Sequence, residues 1–239
     1  MLMQATTANK LAGLAEDQWG LLTRRQAEAA GVSAATLQRL SAPGGVLERT
    51  AHGVYHLAGA PPPPHLDLRS AWLALAPETP AWERKPAQGT VSHRSAAALW
   101  ELGELAPDRD EFTLPERRQT RQPGIRLHRG QLGAGDTTIL DGLPATSPAR
   151  TASDLLADRE DPEAVARVVT DALRTKKEWA GHLPAALAPR AAQLGYRRGD
   201  GRAVLAWLLD LSAAPEADRW LEEAEPKSTD ITPPGLGAS

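Results

Sequence analysis

Residues 22–40 constrain the fold of this chain more than any other segment. Thr23, followed three residues later by Gln26, forms a capping-box pattern, so a helix is predicted to begin directly after Thr23. Gly31 is predicted to end this helix, because glycine readily adopts the left-handed conformation that a tight turn requires. Ser33 can then cap a second helix. The segment therefore predicts a helix-turn-helix.

The residues after the second helix predict a wing, which is a short β-hairpin. Residues 46–49 and 53–57 have the pattern of two short strands that turn at Thr50-Ala51-His52. An apolar helix before residue 20 can close the core of a three-helix unit with this hairpin. Residues 1–59 are therefore predicted to form a winged helix-turn-helix.

The second helix of this unit has one apolar side, formed by Leu37 and Leu40, and short polar or basic side chains elsewhere. Such side chains can enter the major groove of DNA, where Gln38 and Arg39 are candidates for contacts with base edges. Phosphate contacts are predicted for arginines of the first helix and of the wing. The predicted DNA-binding residues are Arg24, Arg25, Ser33, Thr36, Gln38, Arg39, Arg49 and His52.

The alternative is a winged helix that contacts another protein and binds no specific DNA. The charge keeps this alternative open, because residues 1–59 carry five Lys or Arg against four Asp or Glu, a net of only +1. Non-specific DNA affinity grows with the number of phosphates neutralised, so this unit alone is expected to bind DNA only modestly.

A run of four prolines at residues 61–64 marks the predicted domain boundary, because consecutive prolines favour an extended, semi-rigid spacer. The final residues are rich in Pro, Gly and Ser, which is typical of disorder. The predicted organisation is a winged helix-turn-helix DNA-binding domain at residues 1–59, a Pro-rich linker at 60–66, a larger domain at 67–224 and a disordered tail at 225–239.

The larger domain has a mixed pattern, with strands followed by helices, which predicts an α+β fold with a small β-sheet and several C-terminal helices. Ser92 is the predicted N-cap of one of its helices. The predicted helices cover residues 66–76, 92–102, 149–157, 162–175, 183–194 and 203–211, and the predicted strands cover 111–114, 125–128 and 137–140.

A basic strip lies between Glu116 and Asp136, a span without a single acid. It can add the phosphate contacts that the winged helix lacks. A solvated surface strip on a β-hairpin is an equally good interpretation, because charged residues on exposed strand edges prevent unwanted pairing. The strip consists of Arg117, Arg118, Arg121, Arg126 and Arg129.

The sequence predicts no catalytic site, no metal site and no cofactor. The chain contains no Cys, which excludes disulfides and thiolate metal sites and fits a reducing cytosol. His93 is interpreted as structural, because it has no His, Cys or acid near it in the sequence. Glu225-Pro226-Lys227 resembles the acid-x-Lys pair of nucleases only by chance. No segment is long and apolar enough to span a bilayer, so a cytoplasmic protein without membrane contact is expected.

The run GLLTRRQAEAAGVSAATLQRL, followed by GGVLERTAHGVYHLAG, resembles the N-terminal winged helix of the AbiEi family of antitoxins from type IV toxin-antitoxin systems. The runs VSHRSAAALWELGEL, IRLHRGQL and LDGLPATSPARTASDLL resemble later blocks of the two-domain forms of this family. The resemblance implies a transcriptional repressor that binds double-stranded DNA at its own operator. It also implies a nucleotidyltransferase-like toxin as the functional partner, and leaves direct contact with that toxin open.

Overall fold

The computed structural model describes residues 2–225, with side chains from residue 7 onward, and has an α+β fold. A three-stranded sheet belongs to the N-terminal part, and a five-stranded sheet with most of the helices follows it. The predicted fold class is confirmed. In the described part of the chain, no helix is both long and apolar enough to cross a bilayer. Residues 226–239, which hold almost all of the predicted tail, lie outside the described residues.

The N-terminal part is a winged helix-turn-helix, as predicted. Its sheet has the order β1-β3-β2, and both pairings are antiparallel. The buried side chains of Leu11, Leu22 and Leu37 lie at the centre of its core. The elements are α1 (Leu2–Glu16), β1 (Leu21–Thr23), α2 (Arg24–Ala29), α3 (Ala34–Leu40), β2 (Leu47–Ala51) and β3 (Val54–Leu57).

Local hydrogen bonds fix the ends of α2 and α3. The backbone N–H of Gln26 donates to Thr23 Oγ1 at 3.1 Å, and the backbone N–H of Thr23 donates to Gln26 Oε1 at 2.9 Å. Gly31 has a φ of +83°, the left-handed conformation that glycine adopts without a steric penalty. The N–H of Thr36 donates to Ser33 Oγ at 3.2 Å. The predicted capping box, turn and second cap are therefore confirmed.

The wing turns one residue later than the sequence analysis predicts. The hairpin between β2 and β3 turns at His52-Gly53, and Ala51 still belongs to β2. The physical reason is Gly53, whose φ of +71° places the left-handed residue of the turn at the glycine. Strand β1, which the sequence analysis missed, is three residues long and pairs with β3.

The second sheet has the strand order β6-β5-β4-β8-β7. Strands β4 and β8 are parallel, as are β5 and β6, whereas the pairs β4–β5 and β7–β8 are antiparallel. Because β5 and β6 run in the same direction, the basic strip does not lie on a β-hairpin, which corrects that interpretation. The strands are β4 (Thr90–Val91), β5 (Asp110–Leu114), β6 (Ile125–Arg129), β7 (Thr137–Leu140) and β8 (Leu143–Thr146).

The helices of this second part confirm most of the predicted pattern. The helix predicted over 183–194 ends at Leu187 and continues as a 3₁₀ helix over Ala188–Leu194, because Pro189 lacks the N–H that a continuing α-helix needs. The last helix, with two acids at its end, was not predicted. The helices are α4 (Leu66–Leu75), α5 (His93–Leu99), α6 (Pro148–Ala157), α7 (Pro162–Arg174), α8 (Leu183–Leu187), α9 (Gly201–Leu211) and α10 (Ala217–Glu223).

An apolar core continues across the proline run and joins the winged helix to α4. Leu21 of β1 and Val54 of β3 are fully buried in the same cluster as Trp72 and Leu73 of α4. The ring of Trp19 lies edge-on to the ring of Trp72, with centroids 6.0 Å apart. The winged helix therefore packs directly against the first helix of the second part.

Polar contacts reinforce this apolar contact. Gln18 and Gln26 exchange two amide hydrogen bonds of 3.0 and 3.1 Å. Gln18 Oε1 also accepts from the backbone N–H of Ala81 at 2.9 Å, and Gln26 Nε2 donates to the carbonyl of Thr79 at 3.3 Å. The side chain of Thr23 donates to the carbonyl of Pro77. These bonds satisfy buried amides that would otherwise be costly, and they link both parts of the chain.

Candidate nucleic-acid interface

The outer face of α3 is free of packing. Ala34, Ala35, Gln38 and Arg39 are exposed, whereas Leu37 on the other side is 1% exposed. Among the described residues, Arg39 takes part in no ion pair. An unpaired guanidinium keeps all five of its N–H donors for a ligand, and the face of α3 is therefore suited to contact nucleic acid.

Ser33 and Thr36 have a structural role on the same helix. Ser33 Oγ accepts the N–H of Thr36, and the two hydroxyl groups also lie 3.0 Å apart in a hydrogen bond. The cap holds the first turn of α3 in place. Both residues therefore position the helix, and a contact between them and DNA stays a prediction.

The arginines at the start of α2 are exposed but already paired. Arg24 Nε lies 2.7 Å from Glu28 Oε1, and Arg25 Nη1 lies 3.7 Å from Glu28 Oε2. Arg25 Nε also lies 3.8 Å from Glu78 Oε1. More than half of each arginine side chain is exposed, so these pairs are screened by solvent and are weak. A phosphate group can replace the carboxylates as the partner of these arginines. Until it does, the carboxylates offset part of the arginines' positive charge.

The wing brings two further predicted residues together. Arg49 Nη2 lies 3.1 Å from His52 Nδ1, and Arg49 Nε donates to the carbonyl of Ala51 at 3.3 Å. The backbone N–H of Arg24 donates to the carbonyl of Gly53 at 2.8 Å, which holds the start of α2 against the turn of the wing. Arg24, Arg49 and His52 are thus gathered around the wing turn.

All five arginines of the basic strip are exposed, but they do not form one surface feature. The first three lie in the segment between β5 and β6, and Arg126 and Arg129 lie on β6 itself. Arg126 is paired with Asp158 at 2.8 Å, and Arg118 donates to the carbonyl of Leu75. Among the described residues, the other three take part in no ion pair, and these are Arg117, Arg121 and Arg129.

One short segment after α4 connects the winged helix to this strip. Glu78 pairs with Arg25, the carbonyl of Pro77 accepts from Thr23, and the carbonyl of Leu75 accepts from Arg118. Arg25 and Arg118 therefore both lie against residues 75–78. The structure brings the start of α2 and the first part of the strip close to the same segment.

His93 is not isolated, contrary to the premise of the sequence analysis. Its imidazole stacks on that of His128 with centroids 3.5 Å apart, and Nδ1 lies 3.9 Å from Glu111 Oε2. Burial, and then the charges of His128, Arg126 and Arg150, lower the pKa of His93 to about 2. The sequence does not reveal this cluster, because its members come from three separate elements, α5, β5 and β6.

Comparison with known families and structures adds to this geometry. Residues 9–58 match the family model described as "Transcriptional regulator, AbiEi antitoxin". The N-terminal region is an AbiEi domain. This confirms the resemblance for the winged helix, and the matched residues of the AbiEi domain include α2, α3 and the whole wing.

Beyond the AbiEi domain, the similarity to known proteins is one of fold. The chain is similar to the crystal structure of the RV2827C protein from Mycobacterium tuberculosis, with a TM-score of 0.52 and 20% sequence identity. The similarity covers 93% of this chain and 83% of that one, so the shared fold extends through both parts. No curated protein matches the chain.

Proposed function

We propose that this chain is a DNA-binding transcriptional repressor that acts as the antitoxin of a type IV toxin-antitoxin system. The AbiEi match over residues 9–58 carries the proposal, since that family consists of antitoxin transcriptional regulators. In this proposal the chain binds double-stranded DNA at its own operator, in the cytoplasm. It counteracts a nucleotidyltransferase-like toxin, and none of this requires a catalytic step.

The exposed face of α3 supports DNA binding as the way in which regulation occurs. A helix-turn-helix places its second helix in the major groove, and this α3 presents Gln38 and Arg39 outward while Leu37 holds the opposite side in the core. Arg24, Arg25, Arg49 and His52 then contact phosphates on either side of the groove. Ser33 and Thr36 fix the angle at which α3 enters.

The proposal is tested by titrating the full chain with a labelled fragment of its own upstream region and with random DNA of equal length. We expect tighter binding to the upstream fragment and weaker binding to both DNAs as salt is raised, because phosphate contacts release counterions. Binding that ignores salt and sequence, or no binding at all, would support the protein-adaptor alternative instead.

Arg39→Ala tests the role of α3 directly. We expect this change to weaken binding to the upstream fragment by about 1–3 kcal/mol, the usual cost of removing a bidentate contact with a base edge. Thermal stability should stay the same, because Arg39 is exposed and, in the described part of the chain, makes no ion pair. Fluorescence anisotropy and a melting curve measure the two quantities.

Arg167→Ala is the matched control for this variant. Arg167 is also exposed on a helix, α7, and has no ion-pair partner among the described residues. It lies in the helical part of the chain, so we expect operator affinity to equal that of the parent protein. If Arg39→Ala lost stability instead of affinity, the assignment of the exposed face of α3 would be wrong.

A further inference from the structure

The described residues contain a buried cluster of two imidazoles and one carboxylate. His93 begins α5, Glu111 lies on β5, and His128 lies on β6. Each residue offers one ligand atom, and these three atoms all lie within 4.8 Å of one another. The side chains of His93, Glu111 and His128 are only 8%, 3% and 14% exposed. Three separate elements therefore converge on one small buried volume.

The buried carboxyl group of Glu111 has few hydrogen-bond partners. In the described part of the chain it has one hydrogen-bond partner, His128 Nε2 at 2.9 Å. An ionised carboxylate can accept about four hydrogen bonds, and a buried charge is costly unless it is paired. Glu111 therefore has acceptor capacity that its one described hydrogen bond does not use.

Among the described residues, the neighbouring arginines do not use this capacity. Arg94 pairs with Glu160 at 2.6 Å, and Arg126 pairs with Asp158 at 2.8 Å. Arg150 is held by two acids, Asp136 and Asp154, each at 2.8 Å. Each of these guanidinium groups is held by another acid, and in the described part of the chain none of them forms a hydrogen bond or an ion pair with Glu111.

We propose that His93, Glu111 and His128 bind one divalent transition-metal ion of the zinc type. Two imidazole nitrogens and one carboxylate oxygen are a ligand set that Zn²⁺ uses in proteins, with a fourth position left to water or another oxygen. Ser92 Oγ lies 3.0 Å from His93 Nδ1 and offers a side-chain oxygen for that position.

Binding requires a small rearrangement of the two rings. Zn–N and Zn–O bonds of about 2.0–2.2 Å need ligand atoms some 3.2–3.6 Å apart in a tetrahedral arrangement. His93 Nδ1 and Glu111 Oε2, at 3.9 Å, must approach, and His128 Nε2 and Glu111 Oε2, at 2.9 Å, must separate. The rings, now stacked at an interplanar angle of 13°, must also tilt so that their nitrogen lone pairs converge. The bound ion replaces the direct hydrogen bond between His128 and Glu111.

The ion would link α5 to both β5 and β6. His128 stands between Arg126 and Arg129 on β6, so the ion would fix the strand that carries two arginines of the basic strip.

The test uses the full chain without an affinity tag, stripped with a chelator and then titrated with Co²⁺ and Zn²⁺. We expect one ion per chain, visible absorption from tetrahedral Co²⁺, and displacement of Co²⁺ by Zn²⁺. Glu111→Gln and His128→Gln should each lower the affinity for Zn²⁺ at least about tenfold, measured by calorimetry. X-ray absorption of the zinc form should show two imidazole ligands.

A surface pair of the same chemistry supplies the control. His182 Nδ1 lies 2.9 Å from Glu178 Oε1, and the His182 side chain is 65% exposed. His182→Gln should leave the stoichiometry and the affinity unchanged. Absence of Co²⁺ binding to the folded parent, equal affinity in the Glu111 and His128 variants, or a zinc spectrum without imidazole would overturn the proposal and leave a hydrogen-bonded His128–Glu111 pair. The spectrum of the parent decides the matter even if a variant fails to fold.

Discussion

Asp110 begins β5 close to Asp67 of α4, and its carboxyl group is mostly buried. Burial, and then the charge of Asp67, raise the pKa of Asp110 from 3.8 to about 6. Both acids line a cleft of about 550 Å³ beside the wing, together with His52 and Gln122. Between pH 4 and pH 6 the native chain holds a proton on Asp110 that the unfolded chain releases, so stability decreases as the pH rises through this range.

Asp110→Asn is expected to remove this dependence on pH. Above pH 6 the variant should be more stable than the parent by about 1–2 kcal/mol, because a neutral amide avoids the cost of burying a charge next to Asp67. Below pH 4 the two proteins should have similar stability. Urea unfolding at pH 3.5 and pH 7.5 measures the difference, and a variant that gains nothing at pH 7.5 would contradict the raised pKa.

Single residues differ in how far the sequence reveals their role. The bond between Thr23 and Gln26 could be predicted because the partners are three residues apart in one helix turn. The cluster of His93, Glu111 and His128 could not, because it depends on the parallel pairing of β5 and β6, in which Thr113 is opposite His128. A sequence pattern shows local partners, whereas a site made by strand pairing requires the topology first.

Helix α4 is the element on which the contact between the two parts of the chain rests. Its Trp72 is 1% exposed, lies edge-on to Trp19, and donates from Nε1 to the carbonyl of Gly89 at 2.7 Å. The guanidinium of Arg84 lies 4.3 Å from the centroid of the Trp72 ring, and burial lowers the pKa of Arg84 to about 10. One side chain thus holds the winged helix, α4 and the residues after it together.

Trp72→Ala is expected to loosen the winged helix. The change should cost about 3–5 kcal/mol of stability, the usual loss for a buried Trp, and should speed hydrogen exchange at the amides of β1 and β3. Trp220→Ala is the control, because Trp220 is 2% exposed in the core of the C-terminal helices. That variant should lose a similar amount of stability without faster hydrogen exchange at the amides of β1 and β3. Equal exchange patterns in the two variants would contradict the role of α4.

Two of the strands that the sequence did not predict, β4 and β8, share a physical reason. Strand β4 has two residues and β8 contains Pro144, so neither gives the alternating pattern that marks a strand. Both form because their neighbours pair with them, Val91 opposite Ala145 and Ile139 opposite Pro144. Helices α4, α6 and α7 could be predicted, since a helix makes its own hydrogen bonds and shows its buried face in the sequence.

For the molecule as a whole, the proposed DNA binding depends on how its charge is distributed. The winged helix has a net charge of only +1, and two of its arginines are paired with Glu28. Under the proposed function, further phosphate contacts would have to come from a second copy of the chain or from the basic strip. The position of Arg118 against the same segment as Arg25 favours the strip.

Changing Arg117, Arg118 and Arg121 together to Gln tests this source of affinity. We expect weaker binding to operator and random DNA by similar factors, because phosphate contacts carry no sequence information. The slope of log affinity against log salt should become shallower by up to about 3, near 0.9 for each phosphate that the variant no longer neutralises. Anisotropy titrations at several salt concentrations measure both effects.

A matched triple change removes the same charge from another exposed surface. Arg167, Arg197 and Arg198 are exposed in the helical part and, among the described residues, take part in no ion pair. Their replacement by Gln should leave the salt slope as it is in the parent. An unchanged slope in the first triple variant would assign the strip to solvent or to a protein partner, and a second copy of the chain would then supply the affinity.

The core that runs from β1 and β3 into α4 determines how this protein can be recombined with others. A chimera cut at the prolines would separate Leu21 and Val54 of the winged helix from the α4 side chains that cover them, including Trp72. A graft that keeps residues 7–84 together carries the hydrogen bonds of Gln18 and Gln26 to Ala81 and Thr79 with it. Any exchange of the winged helix between relatives of this architecture must therefore move α3 and α4 together.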